Sequence, residues 1–258
     1  MNRPIRQAVT ESLSSADRDE QILDELASHG RVHIPPLAGR LGVSEMTIRR
    51  DLDRLAAAGR VRRVRGGAVA VGPEPFAQRY ARQAVEKEVI AAKLLDLVGD
   101  GGAIAMDAST TVQRLARRLT DVSNLTVLTN GPDTFFALQE LDGVVPVLTG
   151  GTLDQRTGSL VGPIAANSTR ELVMRRAFVS ATAVHPTIGT TEQTLEDATA
   201  KAALVNASTS VVLALDHTKL DGHATARCLP LSRIDYLVTD LDPDDRRLDD
   251  YRDHCHIR

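Results

Sequence analysis

Aromatic residues are scarce in this chain: its 258 residues hold four Phe, three Tyr and no Trp. The core must therefore be built from Ala, Val, Leu and Ile, and stacking on bases or sugar rings is a poor mode of recognition for it. Cysteine is nearly absent, with Cys228 and Cys255 alone. Two thiols do not make a disulfide framework, and a chain of this size needs none. Reduced thiols in a reducing compartment are the plain reading. No run of about eighteen apolar residues occurs, so no transmembrane helix is expected. Met1 to Ser15 lacks the apolar centre of a secretory signal, and a cytoplasmic protein is expected. Lysine is rare as well, at 4 against 27 Arg. No metal cluster of four ligands stands out. The terminal His254-Cys255-His256 reads as part of a frayed tail, and neither metal nor cofactor is expected.

What is present is ordinary globular material: 42% hydrophobic and 25% charged residues, which excludes a disordered or collagen-like chain. The length fits one large domain or two. The net charge of -3 hides an asymmetry. Residues 1–72 carry twelve Arg against nine acids, and from Arg40 to Gly67 there are eight Arg against Glu45, Asp51 and Asp53. Arg presents a planar fork suited to phosphates and guanine edges. A general bias toward Arg explains the choice of Arg over Lys, but not its clustering.

The basic stretch has a helical grammar. Asp17 with Glu20 reads as a capping box, followed by Ile22, Leu23 and Leu26 at helical spacing and a stop at His29-Gly30. Pro35-Pro36 opens a second helix through Leu41. Gly42-Val43-Ser44 is a tight turn, and Ser44 caps a third helix from Glu45 to Ala58. Ile48, Leu52 and Leu55 share one face of it; Thr47, Arg49, Arg50 and Arg54 lie off that face. Two helices so joined make a helix-turn-helix, whose last helix enters the major groove. Arg60 to Val69 then reads as a basic β-hairpin, with Gly66-Gly67 as its turn. It is a wing able to press on phosphates or a minor groove. A small helical cap with a solvated basic face is the plainer alternative.

Val43-Ser44, Thr47-Ile48-Arg49-Arg50-Asp51-Leu52 and Arg65-Gly66-Gly67-Ala68 closely resemble the DNA-binding signature of the DeoR family of bacterial transcription regulators. The resemblance implies double-stranded operator DNA as a partner. Ser44, Thr47, Arg49, Arg50, Arg54, Arg62, Arg63, Arg65, Gly66 and Gly67 are then the expected contact residues. A winged helix-turn-helix over 17–70 is expected, then a linker at 71–75 with Gly72, Pro73 and Pro75.

Beyond the linker, an amphipathic helix is expected from Phe76 to Val98, its buried stripe marked by Val89, Ile90, Leu94, Leu97 and Val98. Strands at 103–106, 125–128, 144–148, 178–180, 211–215 and 236–238 alternate with helices at 109–119, 132–141, before 173 and 197–207. Alternation of this kind means a mainly parallel α/β sheet covered on both faces. Ligands bind such sheets past the strand C-termini, where polar residues gather. Asp107-Ala108-Ser109-Thr110-Thr111 follows one strand and opens a helix. It suits an anion, and equally an ordinary N-cap. Thr129-Asn130-Gly131 and Gly150-Gly151 follow the next two strands, each an unremarkable loop alone. Lys219, beside Asp216, is either a surface lysine or a ligand.

Together with Asp216-His217-Thr218-Lys219 and Ile234 to Asp240, these stretches resemble the DeoR-family sensor domain, which is similar in fold to ribose-5-phosphate isomerases. That implies a sensor over 76–240 and a solvated tail over 241–258. It further implies a homo-oligomeric repressor of carbohydrate-metabolism genes, not an enzyme, that responds to a phosphorylated sugar or related metabolite. Ser109, Thr110 and Thr111 would hold the phosphate, and Asp107, Thr129, Asn130, Gly150, Gly151, Asp197 and Lys219 would surround the rest. Ala108 stands where the family usually has Gly, the residue that lets a phosphate approach the backbone most closely. The second expectation is a sugar-phosphate isomerase with a DNA-binding head, drawing on Asp107, Asp197 and Lys219 for proton transfer.

Overall fold

The structure, a computed structural model, describes residues 13–70 and 76–258. The linker expected at 71–75 lies outside the described residues. The chain divides into two compact units, Met1–Gln78 and Arg79–Arg258.

In the first unit α1 (Ser15–His29), β1 (Arg31–His33), α2 (Ile34–Leu41), α3 (Glu45–Ala57), β2 (Val61–Val64) and β3 (Gly67–Ala70) follow in order. The capping box of α1 sits three residues earlier than expected. Ser14 is the cap, and Asp17 is its partner rather than the cap itself. The Ser14 hydroxyl accepts from Asp17 N–H at 3.2 Å and the Asp17 carboxylate from Ser14 N–H at 3.3 Å. Gly30 and Gly42 end α1 and α2 in the left-handed conformation, which glycine adopts without strain. Ile22, Leu26, Ile34, Leu37, Ile48 and Leu52 form the core of this unit, all at most 2% exposed. Each such side chain contributes about 1.5–3 kcal/mol on burial.

The wing has three strands, in the order β1-β3-β2, all antiparallel. The short segment at Val32, expected only as a connection, is thus its third strand. The two wing glycines do different work. Gly66 turns the hairpin with φ 81°. Gly67 lies within β3, where an added Cβ would sit 1.9 Å from the Val32 carbonyl oxygen.

The second unit comprises α4 (Phe76–Ala81), α5 (Ala84–Val98), β4 (Gly102–Met106), α6 (Thr110–Ala116), β5 (Leu125–Thr129), α7 (Pro132–Gln139), β6 (Val144–Leu148), β7 (Thr152–Asp154), β8 (Ser159–Val161), α8 (Pro163–Asn167), β9 (Arg176–Val179), β10 (Ala183–His185), β11 (Gly189–Glu192), α9 (Leu195–Asn206), β12 (Val211–Ala214), β13 (Ala226–Arg227), β14 (Tyr236–Val238), α10 (Asp249–Arg252) and β15 (His256–Ile257), with the first three residues of α4 counted in the first unit. Seven strands form one sheet in the order β15-β14-β12-β9-β4-β5-β6. Every pair in it is parallel. Ile104, Met106, Val127 and Phe178 pack on one face, and Ala105, Leu128, Val179 and Leu213 on the other. All six expected strands are there, with β7–β8 and the β10-β11-β13 sheet added in the loops.

Three expectations need correction. The helix expected from 76 to 98 is broken at Arg82-Gln83, with Gln83 left-handed at φ 49°. Val89 leaves the buried stripe at 41% exposure, and Lys87 joins it at 3%. The helix expected to run to Val173 ends at Asn167, and Val173 is 78% exposed. The stretch 241–258 is not a solvated tail. Leu248 and Tyr251 are fully buried, and His256–Ile257 adds a parallel strand beside β14. The Tyr251 hydroxyl lies 3.0 Å from Asp221 Oδ1 and 3.2 Å from the Val184 carbonyl. Tyr251, Leu248 and the buried Leu241 outweigh the surrounding Asp and Arg, most of which face water.

Candidate functional site

In the first unit α3 and the wing carry the basic surface. Ser44 caps α3, accepting from Thr47 N–H at 3.2 Å and meeting Thr47 Oγ1 at 2.9 Å. Arg49, Arg50, Arg62 and Arg65 are exposed. Arg49 reaches Glu45 only loosely, at 3.6 Å. No carboxylate among the described residues pairs with Arg50, Arg62 or Arg65.

Arg54 and Arg63, expected at the same surface, are committed elsewhere. Arg54 binds Asp19, Ser15 and Asp51, tying α3 to α1. Arg63 binds Asp53 and the Gly67 carbonyl, each at 2.8 Å, tying the wing to α3. Asp51 is the hub: 4% exposed, it accepts from Arg18 Nε and from Arg54, each at 2.8 Å. Burial pushes its carboxyl up, but the hydrogen bonds from Arg18 and Arg54 outweigh that and hold it below the usual carboxylate range.

In the second unit most of the expected effector residues meet at the C-terminal ends of β4, β5 and β9. Asp107 is 2% exposed and its oxygens are taken. It accepts from Ser109 N–H at 3.1 Å and Ser180 N–H at 2.9 Å, and pairs with Lys201 at 3.1 Å. Lys201 also binds Glu192 and the Ser180 carbonyl. Burial opposes the Lys201 charge, but Glu192 and Asp107 outweigh it and its pKa is raised. Asn130 is a brace. Its Oδ1 accepts from Ala108 N–H at 3.0 Å, and its Nδ2 donates to the Leu160 carbonyl at 3.2 Å. Thr129 accepts from Gly131 N–H at 3.0 Å. Ser109 caps α6. Thr110 donates to the Arg79 carbonyl at 3.3 Å. Thr111 Oγ1 is buried with no partner among the described residues.

Lys219 is half-buried, donating to the Ala181 carbonyl at 2.8 Å and reaching Ser180 Oγ at 3.2 Å. Lys87 donates to the carbonyls of Arg79 and, at 2.7 Å, Arg82. Burial pulls Lys87 down to about 8, the charge of Lys219 adds to this, and Asp216 opposes it; Arg114 and Arg79 press the same way as Lys219. Lys219 is likewise pulled down, by burial first, against Asp216 and, more weakly, Glu192.

Asp197, on α9 one turn before Lys201, has other partners. Asp197 accepts from Ser159 Oγ at 2.7 Å, and Ser159 meets Thr157 Oγ1 at 2.7 Å. The Thr157 carbonyl in turn takes the Arg79 guanidinium. Gly150 and Gly151 turn the chain between β6 and β7 at φ 73° and 114°. Ala108 fits without displacing anything. A Cβ on Gly131 would lie 2.8 Å from Ala108 Cα and 3.0 Å from its Cβ. The bare Gly131 therefore makes room for the Ala108 methyl. A separate groove of about 550 Å³ runs between α8 and α9, lined by Ala166, Ala198, Ala202 and Cys228 among others.

The family model for the DeoR-like helix-turn-helix domain matches residues 18–74, and that for the DeoR C-terminal sensor domain matches residues 82–241. The chain belongs to the DeoR family. It is a DNA-binding transcriptional regulator. Among its relatives, the HTH-type transcriptional regulator GolR of Listeria innocua is 33% identical over 87% of this chain and 90% of its own. The glycerol-3-phosphate regulon repressor of Escherichia coli is 27% identical over 90% of this chain and 93% of its own. Ribose 5-phosphate isomerase A from Neisseria gonorrhoeae is similar in structure over 52% of each chain, at 14% identity and a TM-score of 0.38.

In this DeoR-family chain, sequence reasoning missed Arg79, Lys87 and Glu192 and gave Lys201 no role. The signal was the lysine count. Of four lysines, Lys87 and Lys201 are buried and Lys93 and Lys219 half-buried, whereas a surface lysine is the norm.

Asp51→Asn keeps the side chain's size and removes its charge. It should weaken the α1–α3 junction by about 2 kcal/mol, read as faster hydrogen exchange at Ile48 and Leu52. A carboxyl held below its ordinary value stabilises the fold above that value and loses the effect as pH falls through the lowered one. Wild-type protein should therefore lose stability in this unit below about pH 4, and the variant should lose less. Identical acid profiles would contradict the assignment of Asp51.

Proposed function

We propose that this regulator is a homo-oligomeric cytoplasmic repressor of carbohydrate-metabolism genes, controlled by a phosphorylated sugar or related phosphate ester. The observation that carries the effector class is the meeting of the Lys87 and Lys219 ammonium groups, with Asp216 as the main carboxylate facing both. Lys201 does not add to this excess, because Asp107 and Glu192 already hold it. A phosphate would restore charge to two ammonium groups that burial disfavours. The DeoR relative in Escherichia coli named for the glycerol-3-phosphate regulon supports the same class.

On the DNA side, Arg49, Arg50, Arg62 and Arg65 are the contact set, with Thr47 beside them. Ser44, Arg54, Arg63, Gly66 and Gly67 shape the surface that presents them. A single helix-turn-helix covers one half-site, so paired heads supply the second. The effector acts by its differential affinity for the DNA-competent and DNA-incompetent forms.

The isomerase alternative has a weaker footing. It needs a carboxylate base facing substrate, and both oxygens of Asp107 are occupied, as are those of Asp197. No turnover of phosphopentoses or phosphohexoses is expected.

Arg49→Ala with Arg50→Ala should weaken binding to a duplex selected by the wild-type protein by at least about 100-fold and leave phosphate-ester binding unchanged. Retained DNA affinity would sink the assignment of α3. An ammonium attracts a phosphate where the neutral amine does not. With Lys87 near 8, phosphate-ester affinity should fall as pH rises through that value, with proton uptake on binding above it. Calorimetry in buffers of different ionisation enthalpy reads both, and pH-independent affinity would count against Lys87 as a ligand.

A further inference from the structure

We infer that Lys87 is a clamp on a two-state helix: its ammonium holds the break between α4 and α5, and an anion that draws the ammonium away lets residues 76–98 join into one helix. The inference rests on the anion reading of the site.

The break has no cause in local sequence. Residues 76–98 hold neither Gly nor Pro, and the pattern is that of a continuous helix. Gln83 nonetheless sits at φ 49° and ψ 46°, a conformation that costs an L-residue about 1–2 kcal/mol. In a continuous helix the Arg79 carbonyl would accept from Gln83 N–H and the Arg82 carbonyl from Glu86 N–H. Here the Lys87 ammonium takes both carbonyls. It reaches back from the first turn of α5 and replaces the helical donors. Thr110 adds a second bond to the Arg79 carbonyl, so the break is tied to the loop after β4.

The same ammonium faces that of Lys219, with Asp216 opposing the two; Arg114 adds to the repulsion more weakly, its own charge being paired with Glu88. A charge-assisted bond to phosphate is about twice as strong as one to a neutral carbonyl. An anion among these cations therefore competes for the Lys87 donors, and the freed carbonyls regain helical partners. The transition is of the bistable kind that amplifies a small local shift. Its position gives it an output, because Arg79 is the first residue of the sensor unit and α4 carries the boundary with the DNA-binding unit.

The test is hydrogen exchange of the full chain at Gln83–Glu86, with inorganic phosphate compared with chloride at equal ionic strength, and calorimetry reporting phosphate binding in parallel. The broken form leaves these amides without helical acceptors; the continuous form protects them. Phosphate should slow their exchange by about tenfold or more. Lys87→Met should slow it without phosphate. Gln83→Gly, which favours the left-handed turn, should bind phosphate and gain no protection. Phosphate that binds wild-type protein while these amides exchange as before overturns the clamp and leaves the anion site standing. Fast exchange in Lys87→Met overturns it as well. No binding of phosphate overturns the trigger together with the anion reading, and the calorimetric arm identifies that case.

Discussion

An ammonium group removed from water must be met by carbonyls or carboxylates, or its charge is disfavoured. This protein removes all four of its lysines wholly or partly from water, and the sensor is arranged around how each is met. Lys201 is matched by two carboxylates and fixes Asp107 and Glu192, hence the ends of β4 and β11. Lys93 is met by the carbonyls of Thr239 and Leu241, each at 2.8 Å, which anchors α5 to the end of β14. Lys87 and Lys219 are met chiefly by carbonyls and repel one another. The first pair of lysines builds the sheet's rim. The second pair is incompletely compensated, and the proposed phosphate site rests on that.

The DNA-binding unit divides its arginines in the same way. Arg18 and Arg54 converge on Asp51, and Arg63 on Asp53. Both carboxylates lie on α3, and they neutralise the arginines that fix the helix and the wing. Arg50, Arg62 and Arg65 are left facing water. Exposed and unpaired among the described residues, these three arginines suit a polyanionic partner.

Much of this was legible in the sequence. Period and caps located α2, α3 and the parallel strands, because apolar spacing and Gly42, Ser44 and Gly30 act within a few residues. What long-range contacts decide was not legible. Residues 76–98 read as one helix because nothing local shows a lysine side chain turning back on two carbonyls. Tyr251 reads as tail because its burial depends on Val184 and Asp221, far away in sequence. Asp197 falls beside Ser159 rather than Asp107, since the β7–β8 hairpin that carries Ser159 has no strong strand signal. Arg54 and Arg63 have the same sequence signature as Arg49 and Arg50, and only the positions of Asp19 and Asp53 separate them. The substitution at Ala108 looked adverse in isolation and is neutral in structure, because its complement, Gly131, lies on another loop.

Thermal stabilisation by matched pairs of phosphorylated and free sugars, on wild-type protein and on Lys219→Met, tests the central claim most directly. A phosphorylated ligand at a hundred times its dissociation constant should add about 2.7 kcal/mol to the sensor of the wild-type protein. Its free counterpart should add nothing, and Lys219→Met should abolish the response. Equal stabilisation by the free sugar, or an undiminished response in Lys219→Met, would contradict a sensor whose lysines await an anion.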